Sequence, residues 1–277
     1  MHGPFGTREM SQKIFQVDAF TAEPYKGNPA GVCILDKAKD EQWMQSVASE
    51  MNVAETAFLE RDKENSNTFR LRWFTPTVEV ELCGHATLAS AHVLWEENEA
   101  HQDDLLRFQT RSGLLTAKRA GAWIELDFPS EAPEKLSTCP PELLEAFSIE
   151  PHYTGRNRFD FIIEVQDERT LRGLEPDMRL LRALRTRGVI VTSSADDPKY
   201  DFVSRFFAPG AGVDEDPVTG SAHCCLGPYW TQRLGRNDML GYQASERGGE
   251  VRVRVADNRV ILGGQAVTVL FGELLFD

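Results

Sequence analysis

The residues best equipped for chemistry gather at two places in the chain. At the first, Arg72-Trp73-Phe74-Thr75-Pro76 is followed, six residues on, by Cys83-Gly84-His85-Ala86-Thr87. At the second, Arg205-Phe206-Phe207-Ala208-Pro209 is followed, nine residues on, by Thr219-Gly220-Ser221-Ala222-His223. Arg, Phe and Pro match in register, and so does Gly-x-Ala. Each segment reads as a strand ending at Pro, a short acidic loop, and a helix opened by glycine. Internal duplication of this kind predicts two related lobes facing one another.

A helix N-terminus presents unpaired N–H groups and about half a positive charge. Glycine at the start lets an anion approach the backbone closely. Two such termini on one cleft would hold a carboxylate and stabilise charge developing beside it, which removal of a proton alpha to that carboxylate requires.

The acid–base candidates are Glu55, His85 and Asp216. Glu55 lies in Asn52-Val53-Ala54-Glu55-Thr56-Ala57-Phe58, and a lone carboxylate in apolar company is expected to hold its proton more tightly, as suits a general acid or base. His85 directly follows Gly84, where it is placed to donate or shuttle a proton. Asp216 stands just before the second helix start, and Ser221, the counterpart of His85, is placed to cap that helix or bond a ligand. Each has a plainer alternative: a surface Glu, a capping His, solvated loop charge in Asp214-Glu215-Asp216. Cys83 would sit at the first helix mouth, but its counterpart is Thr219, so a symmetric pair of thiol bases is absent. Cys83 alone reads as a buried small residue or a nucleophile. His92, His223, Cys224 and Cys225 read as helix-packing residues.

The elements that must position these groups follow from the pattern. Strands are predicted at Lys13 to Phe20, Val32 to Leu35, Phe69 to Phe74, and in a meander from Leu105 to Phe128. Helices are predicted from Asp40, as N-cap, to Met51, and from Gly84 to Glu97. After a proline-rich stretch to Pro141, the best linker candidate, come a short helix at Glu142 to Ala146 and strands at Phe159 to Val165, Gly188 to Thr192 and Asp201 to Phe207. A helix near Asp177 to Leu184, a second glycine-started helix from Gly220 to Leu234, and strands at Gly249 to Val255, Arg259 to Leu262 and Val267 to Phe276 complete the chain. Strands and helices do not alternate regularly, so α+β fits better than a doubly wound sheet. Arg179 to Arg187 carries four arginines at helical spacing and reads as a solvated helix face.

The 277 residues carry a net charge of −13, which repels phosphate backbones and argues against a nucleic-acid partner. No apolar run is long enough to span a membrane. Residues 1–9 lack the apolar core of a signal peptide and read as an expression remnant ahead of a natural start at Met10. Five cysteines without a C-x-x-C pair point to reduced thiols in the cytoplasm. No Cys/His spacing matches a zinc site, so a metal-free chain is expected.

Together, Gly27-Asn28-Pro29-Ala30-Gly31-Val32, Ala54-Glu55-Thr56-Ala57-Phe58, Arg72-Trp73-Phe74-Thr75-Pro76, Leu82-Cys83-Gly84-His85-Ala86-Thr87 and Glu215-Asp216-Pro217-Val218-Thr219-Gly220-Ser221-Ala222-His223 resemble the PhzF-like family of phenazine biosynthesis proteins. The resemblance runs from about Lys13 onward and is strongest to the branch that includes the mammalian MAWD-binding protein. It implies a diaminopimelate-epimerase-like fold: two pseudo-repeated lobes, each a curved, mostly antiparallel or mixed sheet wrapped round a central helix. The lobes would span residues 10–128 and 129–266, with the last strand, about 267–277, returning to the first. It further implies a cofactor-independent isomerase, similar to the dihydro-hydroxyanthranilate isomerase, acting as a homodimer. By motif, Glu55 matches the acid/base glutamate and His85 and Asp216 the residues that assist proton movement. Asn28, Gly84, Gly220 and Ser221 match substrate-binding positions. The related epimerases use one Cys per lobe, which Thr219 departs from. Three functions stay open: such an isomerase on a small carboxylic acid, an amino-acid racemase or epimerase using Cys83, and a partner-binding protein with a vestigial site.

Overall fold

A computed structural model describes residues 11–275. The interpretation of residues 1–9 as a remnant lies outside the described residues. In chain order the elements are β1 (Gln12–Ala19), β2 (Asn28–Leu35), α1 (Glu41–Met51), β3 (Glu55–Arg61), β4 (Thr68–Phe74), β5 (Glu79–Val80), α2 (Gly84–Glu96), β6 (Leu106–Thr110), β7 (Gly113–Ala120) and β8 (Trp123–Pro129). The chain continues through β9 (Glu134–Lys135), α3 (Pro141–Phe147), β10 (Tyr153–Arg156), β11 (Asp160–Glu164), α4 (Glu168–Arg172), α5 (Met178–Ala183), β12 (Gly188–Ser194) and β13 (Phe202–Phe207). It ends with α6 (Gly220–Leu234), β14 (Asp238–Gln243), β15 (Gly249–Ala256), β16 (Arg259–Gly264) and β17 (Ala266–Leu274). The fold is α+β.

Two compact units emerge. One holds the chain up to Tyr25, Pro29–Leu126 and the C-terminal segment from Gln265; the other holds Lys26–Asn28 and Asp127–Gly264. The boundary cuts β8 between Leu126 and Asp127, ahead of the proline-rich stretch predicted as a linker. That stretch contributes β9, which pairs with β10.

The first unit orders its strands β17-β1-β2-β3-β4-β6-β7-β8. Within it β2/β3 and β4/β6 are parallel, while β3/β4, β6/β7 and β7/β8 are antiparallel. The second unit repeats the scheme in β11 to β16: β11/β12 and β13/β14 are parallel, β12/β13, β14/β15 and β15/β16 antiparallel. A parallel step needs a crossover. In the first unit α1 and α2 supply the two crossovers; in the second, α4 with α5, and then α6, do so. The duplication glimpsed at five residues therefore runs through the whole topology.

Each crossover helix is built for its place. Asp40 caps α1, accepting the Trp43 N–H at 2.8 Å, and Asn52 closes it in the left-handed region at φ 49°. Helix α2 is apolar nearly all round, and Ala86, Leu88, Ala89, Ala91, Val93, Leu94 and Trp95 are buried. Such a helix has to be enclosed; it packs on β1, β3 and β17. Helix α6 holds Pro228, which lacks the N–H that would reach Cys224 O. That carbonyl accepts the Glu131 N–H at 3.0 Å instead. At Gly227 an added Cβ would stand 2.9 Å from Val253 Cγ1, so glycine sets how closely α6 approaches β15.

Sequence reading missed β3, α4 and β14, and the short strands β5, β9 and β10. It also misplaced the arginine run: α5 ends at Ala183, and Arg187 lies beyond it, paired through Nε with the fully buried Asp160 at 2.9 Å. No helix among the described residues is long and apolar enough to cross a membrane.

Candidate active site

In the first unit, three chemically active side chains meet. Glu55 opens β3, three residues after Asn52 ends α1. Cys83 is the residue before α2, in extended backbone, and His85 is the second residue of that helix. His85 Nε2 lies 3.1 Å from Glu55 Oε2, with the His85 side chain 6% and the Glu55 side chain 19% exposed. Cys83 Sγ lies 3.5 Å from His85 Nδ1 and 3.9 Å from Nε2. The predicted lone carboxylate in apolar company is thus corrected: the end of β3 and the start of α2 put an imidazole directly against it.

The electrostatics follow from that contact. Burial alone would strip the proton from His85. The Cys83 sulfur and the Glu55 carboxylate outweigh it and hold the imidazole well above its ordinary pKa. Burial, and then the Glu55 charge, push the Cys83 thiol up to about 11. His85 thus holds its proton more firmly than a free imidazole, and Cys83 more firmly than a free thiol. Among the described residues, the donor atoms of these three lie within 4.8 Å of one another.

In the second unit the predicted residues form a different kind of site. The buried Asn28 amide donates to Asp216 Oδ1 at 2.8 Å and to the Val218 carbonyl at 2.9 Å. Thr219 Oγ1 donates to Asp216 Oδ2. The Asp216 N–H reaches Phe206 O at 3.0 Å, tying the loop to the end of β13. Thr219, not Ser221, is the N-cap of α6, and its hydroxyl is turned to Asp216 rather than to the helix. The capping role expected of Ser221 is therefore corrected. Ser221 is the second residue of the helix, half-buried, and its hydroxyl makes no hydrogen bond among the described residues.

Neither α2 nor α6 has a side-chain cap, and neither has an acidic residue in its first turn. Their positive dipole ends favour an anion placed at either helix start. The two helix starts share one further device. Thr87 Oγ1 donates to Cys83 O at 2.6 Å, and His223 Nδ1 lies 2.9 Å from Thr219 O, so the same repeat position ties down the same carbonyl. His92 lies 3.5 Å from Glu96, and Cys224 and Cys225 are buried in α6 with their thiol pKa values pushed up by burial, as packing residues would be.

Three supporting residues escaped the sequence reading. Gln243, fully buried on β14, accepts the Thr219 N–H at 2.9 Å and donates to Asp216 O at 2.7 Å. Nothing near it in sequence signals this. Glu79 and Glu215 hold the repeated arginines Arg72 and Arg205. Here the signal was present, because an Arg matched in register in both halves had no assigned partner.

Comparison with known proteins agrees with this architecture. A family model described as phenazine biosynthesis-like protein matches residues 17–272. An uncharacterized isomerase of Halalkalibacterium halodurans is 54% identical over 266 residues, covering 96% of this chain and 99% of its own. Phenazine biosynthesis-like domain-containing protein 2 of Mus musculus is 40% identical over 292 residues, with the same coverages of 96% and 99%. A crystal structure of a PhzF-family protein from Enterococcus faecalis superposes with a TM-score of 0.91 at 41% identity, covering 96% of this chain and 100% of that one.

Proposed function

The chain belongs to the phenazine biosynthesis-like family, and on that premise we propose that it is an isomerase that moves a proton on a small carboxylic acid, with Glu55 as the base and no resident cofactor. One observation carries this reading: the Glu55 carboxylate, partly shielded from water, stands 3.1 Å from a buried His85 at the mouth of an uncapped helix. The imidazole positions the carboxylate and leaves its other oxygen to take a proton from carbon and return it at another. Negative charge that builds up on the substrate meets open helix N–H groups. Within the second unit, Asp216, held by Asn28 and Thr219, is a further candidate acid–base group, and Gly84, Gly220 and Ser221 remain candidate carboxylate-binding positions, each at its own helix start.

The racemase alternative needs a Cys83 thiolate. With that thiol pushed up to about 11 and no thiol at position 219, the geometry favours the carboxylate. A cytoplasmic homodimer belongs to the same proposal, its assembly checked by light scattering. The test of function is incubation with a panel of small carboxylic and amino acids in deuterium oxide, read by proton NMR. Deuterium appearing at one carbon of one compound supports the isomerase and identifies its acidic position. No wash-in across the panel, with a protein that is folded by circular dichroism, would favour the vestigial-site reading.

A further inference from the structure

We infer that Arg247 and Ser245, in the turn between β14 and β15, are positioning residues. They grip the segment Lys26–Asn28 and the Asp216 loop so that the Asn28 amide stays on the Asp216 carboxylate. All of these residues lie in the second unit. The inference deepens the isomerase reading, and its consequence for turnover rests on that reading, but the clamp itself does not.

The repeat is the first argument. Phe69 pairs with Phe108 and Phe202 with Gly241, and Phe69 and Phe202 each stand three residues before their repeated arginine. Four residues on from those partners lie Ser112 and Ser245, which are therefore counterparts. Ser112 Oγ donates to Glu81 O at 2.6 Å, and Ser245 Oγ to Pro217 O at 2.8 Å. Glu81 and Pro217 both stand two residues before a helix N-cap, Cys83 and Thr219. Both units thus latch the approach to a helix mouth with the same hydroxyl.

What the second unit adds to that latch is the second argument. Two residues separate the paired Thr110 and Gly113, whereas five separate the paired Gln243 and Gly249. The three extra residues after Ser245 are Glu246, Arg247 and Gly248, and two of them grip the segment before Asn28. Arg247 Nε donates to Gly27 O and Nη2 to Lys26 O, both at 2.8 Å, and the Gly27 N–H donates to Gly248 O at 2.7 Å. The Gly248 N–H donates to Ser245 Oγ at 3.0 Å, so one hydroxyl serves both ends of the clamp. Gly248 sits at φ 69°, and an added Cβ would collide with the Tyr242 hydroxyl, so glycine is what lets the turn close here.

The consequence follows from where those grips fall. Gly27 directly precedes Asn28, whose fully buried amide donates to Asp216 Oδ1 and to Val218 O. Pro217, held by Ser245, directly follows Asp216. The turn therefore holds the chain at the residue next to each partner of the Asn28–Asp216 contact. An arginine fork can hold two carbonyls at once in a fixed plane, whereas a lysine ammonium is a single donor centre on a flexible stem. Slackening the fork lets the Asn28 amide turn away, and the carboxylate loses a fixed donor.

The test follows the Asn28 side-chain amide of the full chain by proton–nitrogen NMR, its signal pair assigned by its loss in Asn28→Ala. No substrate is needed. In the parent the buried pair is expected to exchange slowly with solvent. Arg247→Gln is expected to speed that exchange about tenfold or more, and Arg247→Lys to fall between the two. Ser245→Ala is expected to speed it as well, which keeps the test decisive should Arg247→Gln not fold. Ser112→Ala removes the matching hydroxyl of the first unit and is expected to leave the parent rate. Exchange at the parent rate in Arg247→Gln or, should that variant not fold, in Ser245→Ala would overturn the clamp, as would equal acceleration in Ser112→Ala. Deuterium wash-in on the acid that the panel identifies separates the two ideas. There Arg247→Gln is expected to lower kcat about tenfold, with partial recovery in Arg247→Lys. Faster amide exchange with wash-in at the parent rate sinks the acid–base role of Asp216 alone; unchanged amide exchange sinks the clamp alone.

Discussion

Arg205 holds both carboxylate oxygens of Glu215, through Nε at 2.7 Å and Nη2 at 2.8 Å. Glu215 is the residue before Asp216, so this fork fixes the loop that presents the acid. The first unit repeats it: Arg72 holds both oxygens of Glu79 at 2.7 and 2.6 Å, in the loop that leads to Cys83 and His85. In both units the guanidinium also lies over the ring of the matching phenylalanine, Phe207 at 4.8 Å and Phe74 at 5.0 Å. The repeated arginine thus positions a loop from the end of a strand.

Arg205→Lys tests this. Lysine keeps the charge but loses the planar fork and the ring contact. It also loses the donation to the Leu174 carbonyl, made at 2.8 Å. The expected result is a fall in isomerase kcat/KM of about tenfold, equivalent to about 1.4 kcal/mol, larger than the effect on melting temperature explains. Exchanging the two residues (R205E with E215R) is expected not to rescue it, because a carboxylate at 205 would face backbone carbonyls. Steady-state kinetics beside a thermal scan would show otherwise if the swap restored activity.

Gln243 gives a stability prediction. Gln243→Met keeps the volume but leaves the Thr219 N–H and Asp216 carbonyl without their amide partner. Buried groups stripped of a hydrogen bond cost about 1–3 kcal/mol each. A loss of about 2–6 kcal/mol in urea unfolding is expected, seen as a lower midpoint with an unchanged slope. A midpoint equal to the parent's would mean that Gln243 supports nothing at the α6 mouth.

His223 gives the pH dependence. Full burial lowers its pKa to about 4, only partly offset by the Thr219 carbonyl. The unfolded chain binds that proton from about pH 6.5 downward and the folded chain does not. The stabilisation is therefore complete above pH 6.5 and falls as pH drops toward 4. Roughly 3 kcal/mol is at stake, at about 1.4 kcal/mol per pH unit. Unfolding free energies measured across that range should show a steeper acid loss in the parent than in His223→Gln; parallel curves would contradict the assignment.

Much of the fold was legible because its punctuation is local. Pro76 and Pro209 end strands, Gly84 and Gly220 open helices, and Asp40 caps α1, so the duplication showed in the residues that make those turns. What escaped was set by distance. Strand β3 is buried without alternation over Thr56 to Leu59, so it carries no period to read. Gln243 reaches Thr219 and Asp216 from another strand, and the partner of Glu55 is a helix residue 30 positions on. The candidate residues were visible by type; the pairings that set their protonation were not.

The central claim is that Glu55 is the base. It is tested most directly by solvent deuterium wash-in, followed by proton NMR on whichever acid the panel identifies, for the parent, Glu55→Gln and Cys83→Ala. Glu55→Gln removes the charge and keeps the shape, and the account predicts a rate lower by about 10²–10⁴. Wash-in at the parent rate in Glu55→Gln, together with its loss in Cys83→Ala, would contradict it and make the thiol the base.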